Sequence, residues 1–308
     1  RLETLLPEPP SVFEKSGERK QESEIEDTAW MGWSRRGQVR LTTLKSVGWE
    51  PKKYRMLYNF KNQYRVYPSG FKKPREDLEE ERRKGVYSVL QGAEKVIVIG
   101  AGAGRGLLSM PVALDTNVHA VERNPAAVRL FRDISPELNG GLYRRVTVHA
   151  ADGRTVLERL PGGWDAIVVE SSLWAPAHLL LPASAPYFHQ TVEAFDVMVD
   201  RLSDDGVLIL EYNRAGLHSF RRTMASRAWT ALLSAGLEVR VVSSGTQVNL
   251  YVLACKTEGC GDSLQETASL RSGDRWLTRR AGHFSSPLTD DRPFMTWEKL
   301  SVKERGLL

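Results

Sequence analysis

The sequence predicts an α/β fold: a mainly parallel sheet of seven strands with helices on both faces, preceded by a small N-terminal β-hairpin domain. Three observations predict it. Short β-branched runs without polar alternation, as strands buried on both faces require, alternate with helical segments from Val96 onward. Glycines at Gly100, Gly102 and Gly104 stand between the first such run and the helix after it. Upstream, apolar Tyr54, Met56, Tyr58 and Phe60 alternate with polar residues and, after a turn, Tyr64 and Val66 resume the alternation, which is the period of a hairpin with one solvated face.

Composition bounds the chain as a soluble globular protein. Its 308 residues are 41% hydrophobic and 26% charged, enough for one large domain with an appendage. No uninterrupted apolar run approaches the ~18 residues of a membrane span. Cys255 and Cys260 are too few for a disulfide framework or a closed zinc site, so the expectation is reduced thiols and a reducing compartment, cytoplasm or mitochondrial matrix. The histidines are scattered, and no metal-ligand spacing is present. The chain begins at Arg1, so a native N-terminus and any targeting signal are expected to lie outside it.

Residues 1–28 are rich in Glu, Lys, Pro and Ser and bury too little to offset their ordering entropy, so they read as a disordered or wrapping arm. Residues 29–74 form the small β domain. Within it Lys52, Lys53, Arg55, Lys61, Arg65, Lys72, Lys73 and Arg75 fall between Pro51 and Arg75 without one acid, against a net charge of +5 for the whole chain. Cations interleaved with aromatic rings suit RNA or another polyanion; the competing expectation is a solvated strand face with its rings in the core.

Residues 75–308 make the main domain. A helical stretch over Glu76 to Leu90 leads into Val96, Ile97, Val98 and Ile99, a buried strand. Gly100, Gly102 and Gly104 allow a tight turn and a close approach of backbone to a ligand at the next helix. Glu122 ends the second strand about 20 residues on, where a carboxylate can accept both hydroxyls of a ribose. Asn124-Pro125 starts a helix with Val128, Leu130 and Phe131 as its stripe. Val146 to Ala150 is the third strand; Asp152, with Gly153 beside it, follows at the ligand edge, where the carboxylate can accept from an exocyclic amine or cap the next helix.

Trp164 to Glu170 is the fourth strand, and Glu170 lands at the same edge as a candidate acid or base. Val192, Phe195, Val199 and Leu202 share a helix face, ended by Ser203-Asp204-Asp205-Gly206 before a fifth strand, Gly206 to Tyr212. A helix from His218 to Ala235 and strands at Leu237 to Val242 and Val248 to Cys255, the last pair antiparallel, complete the sheet.

The segments VIVIGAGAGRG, AVERNP, LNGGLYRRVTVHAADGR, WDAIVVESS, QTVEAFDVMVDRLSDDGVLIL and PLTDDRPFMTW, in this order, resemble the spermidine-synthase-like branch of the Rossmann-type S-adenosylmethionine-dependent transferases. The likeness runs from Val96 to Trp297. It implies a methyltransferase-like fold behind a small β domain, with Gly100, Gly102 and Gly104 cradling the methionine side of S-adenosylmethionine or its decarboxylated form, Glu122 on the ribose, and Asp152 with Gly153 at the adenine. The pattern departs after the fourth strand. Spermidine synthases carry D-[ST]-[ST]-D-P there, and this chain has Glu170-Ser171-Ser172-Leu173-Trp174, so the second carboxylate has become an alkyl group. Asp290, Asp291 and Arg292 stand near the end of the likeness, at the pocket rim or in a surface turn.

Three functions remain open on these residues. Methyl transfer to an unknown acceptor tolerates Leu173 best, since it needs chiefly the alignment of a nucleophile with the cofactor. Aminopropyl transfer to an unusual amine would use Glu170 as base. A non-catalytic scaffold in a larger, RNA-containing assembly would use the arm and the basic hairpin as contacts, and the small β domain is also a place for homo-oligomer formation.

Overall fold

The computed structural model describes residues 25–34, 37–44, 53–58, 62–66, 84–113, 115, 117–170, 190–212, 218–244, 249–268, 270 and 275–277. Among these residues two sheets form. The first is an antiparallel meander of β1 (Ile25–Ser34), β2 (Gly37–Leu44), β3 (Lys53–Tyr58) and β4 (Asn62–Val66) in sequence order. The hairpin read from the alternation is β3 with β4, in which Tyr54 faces Val66 and Met56 faces Tyr64.

The second sheet is built from β5 (Val96–Ile99), β6 (Val118–Val121), β7 (Thr147–His149), β8 (Trp164–Val169), β9 (Leu202–Tyr212), β10 (Glu238–Ser243) and β11 (Leu250–Cys255). The two-residue β12 (Arg275–Trp276) extends its edge, giving the order β12-β10-β11-β9-β8-β5-β6-β7. Strands β5 to β9 run parallel, and β11 lies antiparallel between β9 and β10. The carboxyl ends of β5, β6, β7, β8 and β9 and the amino end of β11 therefore share one edge. Strand order reverses beside β5, which is where a doubly wound sheet opens a ligand crevice.

Helices cover both faces because the central strands are apolar on both. Val96, Val98, Ala120, Val168 and Ile209 face one layer, and Ile97, Ile99, Val121, Ile167 and Leu208 the other. The first layer is closed by the 3-10 turn Val86–Leu90, by α1 (Arg105–Ser109) and by α2 (Pro125–Arg129), which runs on as a π-helical turn, Leu130–Ile134. The second is closed by α3 (Gly153–Arg159), α4 (Val192–Arg201) and α5 (His218–Ser234). Each large aliphatic side chain so buried contributes about 1.5 to 3 kcal/mol against exposure. Val39 and Leu41 enter the first layer, so the small sheet is seated on the same core. A final helix, α6 (Cys260–Thr267), packs beside β10 and β11.

Three boundaries differ from expectation. Ile25 to Thr28, read as the end of the N-terminal arm, begin β1 and extend the small sheet upstream of residue 29. Leu202 belongs to β9 and not to the preceding helix stripe: it is extended (φ −64°, ψ 147°) and pairs with Trp164, and Ser203 to Gly206 are accommodated as a register shift before Val207 pairs with Ala166. Met198 takes the buried place on α4 beside Ala194 and Phe195. Of the helix expected over Glu76 to Leu90, the described residues begin at Lys84, where Lys84 and Gly85 form a bend and Val86–Leu90 a 3-10 turn. The cysteines also differ: Cys255 and Cys260 are joined as a disulfide, where reduced thiols were expected. Among the described residues no helix is long and apolar enough to cross a membrane.

Candidate functional site

The glycine loop folds back onto the second strand. Gly100 and Ala101 both donate their N–H to the Val121 carbonyl, at 2.8 and 3.1 Å, and Gly104 closes the turn on the Ala101 carbonyl at 2.6 Å. Gly100 has φ +83°, and a Cβ there would stand 2.9 Å from the Glu170 carbonyl oxygen. A side chain is excluded at this point by backbone on both counts. Gly104, also at φ +83°, backs onto side chains: a Cβ there would collide with Leu142 and touch the Tyr143 ring.

Glu122 follows β6 and is buried, at 8% exposure. Burial of a carboxylate costs free energy unless it is bonded, and here each oxygen accepts a backbone N–H: Oε2 from Gly102 at 3.0 Å and Oε1 from Asn124 at 2.7 Å. The residue singled out for a ribose thus also braces the central glycine of the loop. Asn124 in turn caps α2, its Oδ1 accepting from Ala126 N and from the Ser34 hydroxyl, both at 3.0 Å. Through that bond the small sheet reaches the same edge.

Asp152 stands before α3 as its N-cap. Oδ1 accepts from the Arg154 N–H at 3.1 Å and the Thr155 N–H at 3.3 Å. These bonds use one oxygen, so capping and recognition of a ligand amine are compatible roles for one carboxylate. Gly153 is buried against β5: a Cβ there would collide with the Ile99 side chain.

Glu170 follows β8, its N–H donating to the Ile99 carbonyl at 2.9 Å. Its carboxylate lies across the first turn of α1, where a Cβ on Gly106 would overlap it. The chain therefore brings Gly100, Gly102, Gly104, Glu122, Asp152, Gly153 and Glu170 to one edge of one sheet. Ser171 to Trp174, Asp290, Asp291 and Arg292 lie outside the described residues, as do Lys52, Lys61, Lys72, Lys73 and Arg75 and the side chains of Lys53, Arg55 and Arg65.

Beside Glu170 is a polar cluster the sequence did not reveal. Glu211, next to last in β9, accepts from the Tyr87 hydroxyl at 3.2 Å and from the Asn249 amide at 2.7 Å. Asn249 also donates to the Tyr251 hydroxyl at 3.3 Å, and Tyr251 pairs with Glu211 across the strands. The rings of Tyr87 and Tyr251 meet edge to face, 6.1 Å apart. Burial pushes the Tyr87 phenol well above its ordinary value, and the charges of Glu211 and then Glu170, followed by Tyr251, push it further. The phenol thus stays neutral while bonded to Glu211, with the charge of Glu170 also felt there. The available sequence signal was an acid near the end of a buried strand run, which GVLILEY shares with WDAIVVE.

No protein-family model and no curated protein matches the sequence. Solved structures do match. A spermidine synthase in complex with the transition state analogue AdoDATO shares 14% identity over 92% of this chain and 88% of that chain, at a TM-score of 0.54. The spermidine synthase from Thermotoga maritima gives 14% identity, the same coverage of 92% and 88%, and a TM-score of 0.53. A probable spermidine synthase from Corynebacterium glutamicum ATCC 13032 gives 14% identity over 82% of this chain and 89% of that chain, at a TM-score of 0.50. At that identity the likeness is one of fold, and the chain has the spermidine-synthase-like, Rossmann-type fold of S-adenosylmethionine-dependent transferases.

Proposed function

We propose that this chain is a transferase that binds S-adenosylmethionine and catalyses methyl transfer to an acceptor held beside Glu170. The observation that carries the reading is the bond from Gly102 N to Glu122 Oε2, because it fixes a glycine loop and a strand-terminal carboxylate as one unit at the switch point of the sheet. The donor set fits the cofactor. Gly100 lies in a turn whose backbone admits no side chain, Glu122 stands behind that loop with a carboxylate of the kind that takes a ribose hydroxyl, and Asp152 uses Oδ1 for the cap and keeps Oδ2 for the adenine amine. When bound, the cofactor supplies an activated alkyl group on a sulfonium.

The chain's own task is then to bind, orient and deprotonate the nucleophile. Glu170 is the base in this reading, since it follows β8 at the same edge and its charge is felt by the neutral Tyr87 phenol. Leu173 in the position of the second family carboxylate is what favours methyl over aminopropyl transfer. Glu211 favours the second reading, aminopropyl transfer to an amine, because it adds an acid to the acceptor side that the residues after Glu170 lack.

Calorimetric titration with S-adenosylmethionine, its decarboxylated form and methylthioadenosine tests both readings. Methyl transfer expects S-adenosylmethionine to bind more tightly than the decarboxylated form, aminopropyl transfer expects the reverse order, and binding of none of the three overturns both in favour of a non-catalytic scaffold. Gly102→Val should abolish binding while leaving the chain folded.

A further inference from the structure

Gly102 is tied on both of its backbone groups. Its N–H goes to Glu122, and its carbonyl accepts the Tyr143 hydroxyl at 2.7 Å. The two peptide units that meet at Gly102 are therefore oriented by separate elements, β6 on one side and the 3-10 turn Leu142–Arg144 on the other. Gly102 itself has φ +55°, so without these bonds its conformation is one of several open to glycine.

Tyr143 is built to hold such a bond. It is 1% exposed, and its ring meets Phe131 edge to face at 6.3 Å. Gly140 and Gly141, at φ +66° and +67°, turn the chain into the short segment that carries it. Leu142 and Tyr143 then close against Gly104, where a Cβ would stand 3.6 Å from the Tyr143 ring. A hydroxyl on a ring so packed has little freedom to lose when it donates, which is the condition for holding a loop in one conformation.

We propose that Tyr143 is a positioning residue for the cofactor loop: its hydroxyl fixes the Gly102–Ala103 peptide and so keeps the loop in its ligand-ready form. The inference rests on the cofactor reading above. It acts through Gly102, and it divides the work with Glu122, which in that reading also meets the ribose. Tyr143→Phe removes the loop bond alone, and Glu122 variants cannot do that.

The test compares the wild type, Tyr143→Phe, and a protein with 4-aminophenylalanine at 143, whose aniline keeps a weaker donor on the same ring. Amide hydrogen exchange over residues 100 to 104 is read without ligand, affinity is read with S-adenosylmethionine, and the unfolding midpoint is read alongside. For Tyr143→Phe the loop amides should exchange about tenfold faster while exchange elsewhere in the sheet is unchanged, and affinity should fall about three- to tenfold, the scale of one buried hydrogen bond. The aniline should give intermediate values. Unchanged loop exchange overturns the proposal, and so does a loss of protection spread equally through the sheet, which would make Tyr143 a packing residue. Should the Phe variant fail to fold, the aniline protein decides: faster loop exchange than wild type supports the proposal, and identical exchange overturns it. A wild type that binds no S-adenosylmethionine defeats the cofactor reading, with the ligand-free exchange still deciding whether Tyr143 holds the loop.

Discussion

Tyr87 and Glu211, 124 positions apart, meet through a 3.2 Å hydrogen bond that ties the turn in front of β5 to the end of β9, the fifth parallel strand. Burial raises the pKa of the phenol well above its ordinary value, and the Glu211 charge raises it further. Tyr212, which donates to Gln190 at 2.6 Å, is raised as well, also by burial.

An alkaline transition follows from these two phenols. Both stay protonated in the fold where the unfolded chain ionises, so their stabilisation is complete below about pH 10 and is lost as pH rises above it. Each steepens the fall of unfolding free energy by up to about 1.4 kcal/mol per pH unit there. Denaturant unfolding between about pH 9 and 11.5 should show this slope, and Tyr87→Phe should remove one proton's share of it. An unaltered slope in the variant would mean that Tyr87 ionises in the folded protein.

Gly106→Ala should act on Glu170 without touching the glycine loop. In an exposed helix the change would stabilise by up to about 1 kcal/mol, but here the new methyl group overlaps the Glu170 carboxylate and must displace it. For the transferase proposed above, turnover should fall by roughly 100-fold, as for Glu170→Gln. Affinity for S-adenosylmethionine should stay within about threefold, less than the worth of one buried hydrogen bond. Full turnover in both variants would remove Glu170 from the chemistry.

The glycine-loop half of the candidate site was legible because it is local. Val96 to Glu122 carries a strand, a turn and a terminal acid within one βαβ unit, and their periodicity and spacing are written in consecutive residues. Tyr87, Glu211, Asn249 and Tyr251 were not legible, since what joins them is the insertion of β11 beside β9, a pairing that no local pattern specifies. Gly106 looks like any helix glycine until Glu170 is seen against it, and Gly153 was named for its place beside Asp152 and not for the Ile99 contact that excludes a side chain there. Leu202 was misplaced because the spacing of a helix stripe continued by chance into the first residue of a strand.

Asp152 tests whether one carboxylate serves two ends. Asparagine keeps an oxygen for the Arg154 and Thr155 N–H groups, so Asp152→Asn should change stability by no more than a few tenths of a kcal/mol, whereas Asp152→Ala should lose about 1 kcal/mol with the cap. Both should weaken an adenosine ligand, by about 1 to 3 kcal/mol, through the loss of a charged acceptor. Thermal unfolding and calorimetry on the pair separate the two roles. If affinity is unchanged in both while stability falls only in the alanine variant, Asp152 is a helix cap alone.

The disulfide between Cys255 and Cys260 joins the end of β11 to the start of α6 across a separation of 5 residues. Around it, Glu238 accepts from the N–H groups of Gly259 and Gly261 at 2.6 and 2.9 Å, and Arg240 reaches Asp262 at 2.8 Å. That ion pair is largely open to solvent and contributes little. The covalent link thus acts with the two hydrogen bonds to Glu238 and with Leu264 packing on the first core layer in holding α6 to the sheet. Closing so short a loop restricts the unfolded chain by about 2 kcal/mol on the chain-entropy account. Reduction with dithiothreitol should lower the unfolding free energy by that amount, and replacing both cysteines with serine should lower it equally and abolish the response to reductant. Coincident unfolding curves for the oxidised and reduced wild type would show that packing, not the link, holds α6 in place.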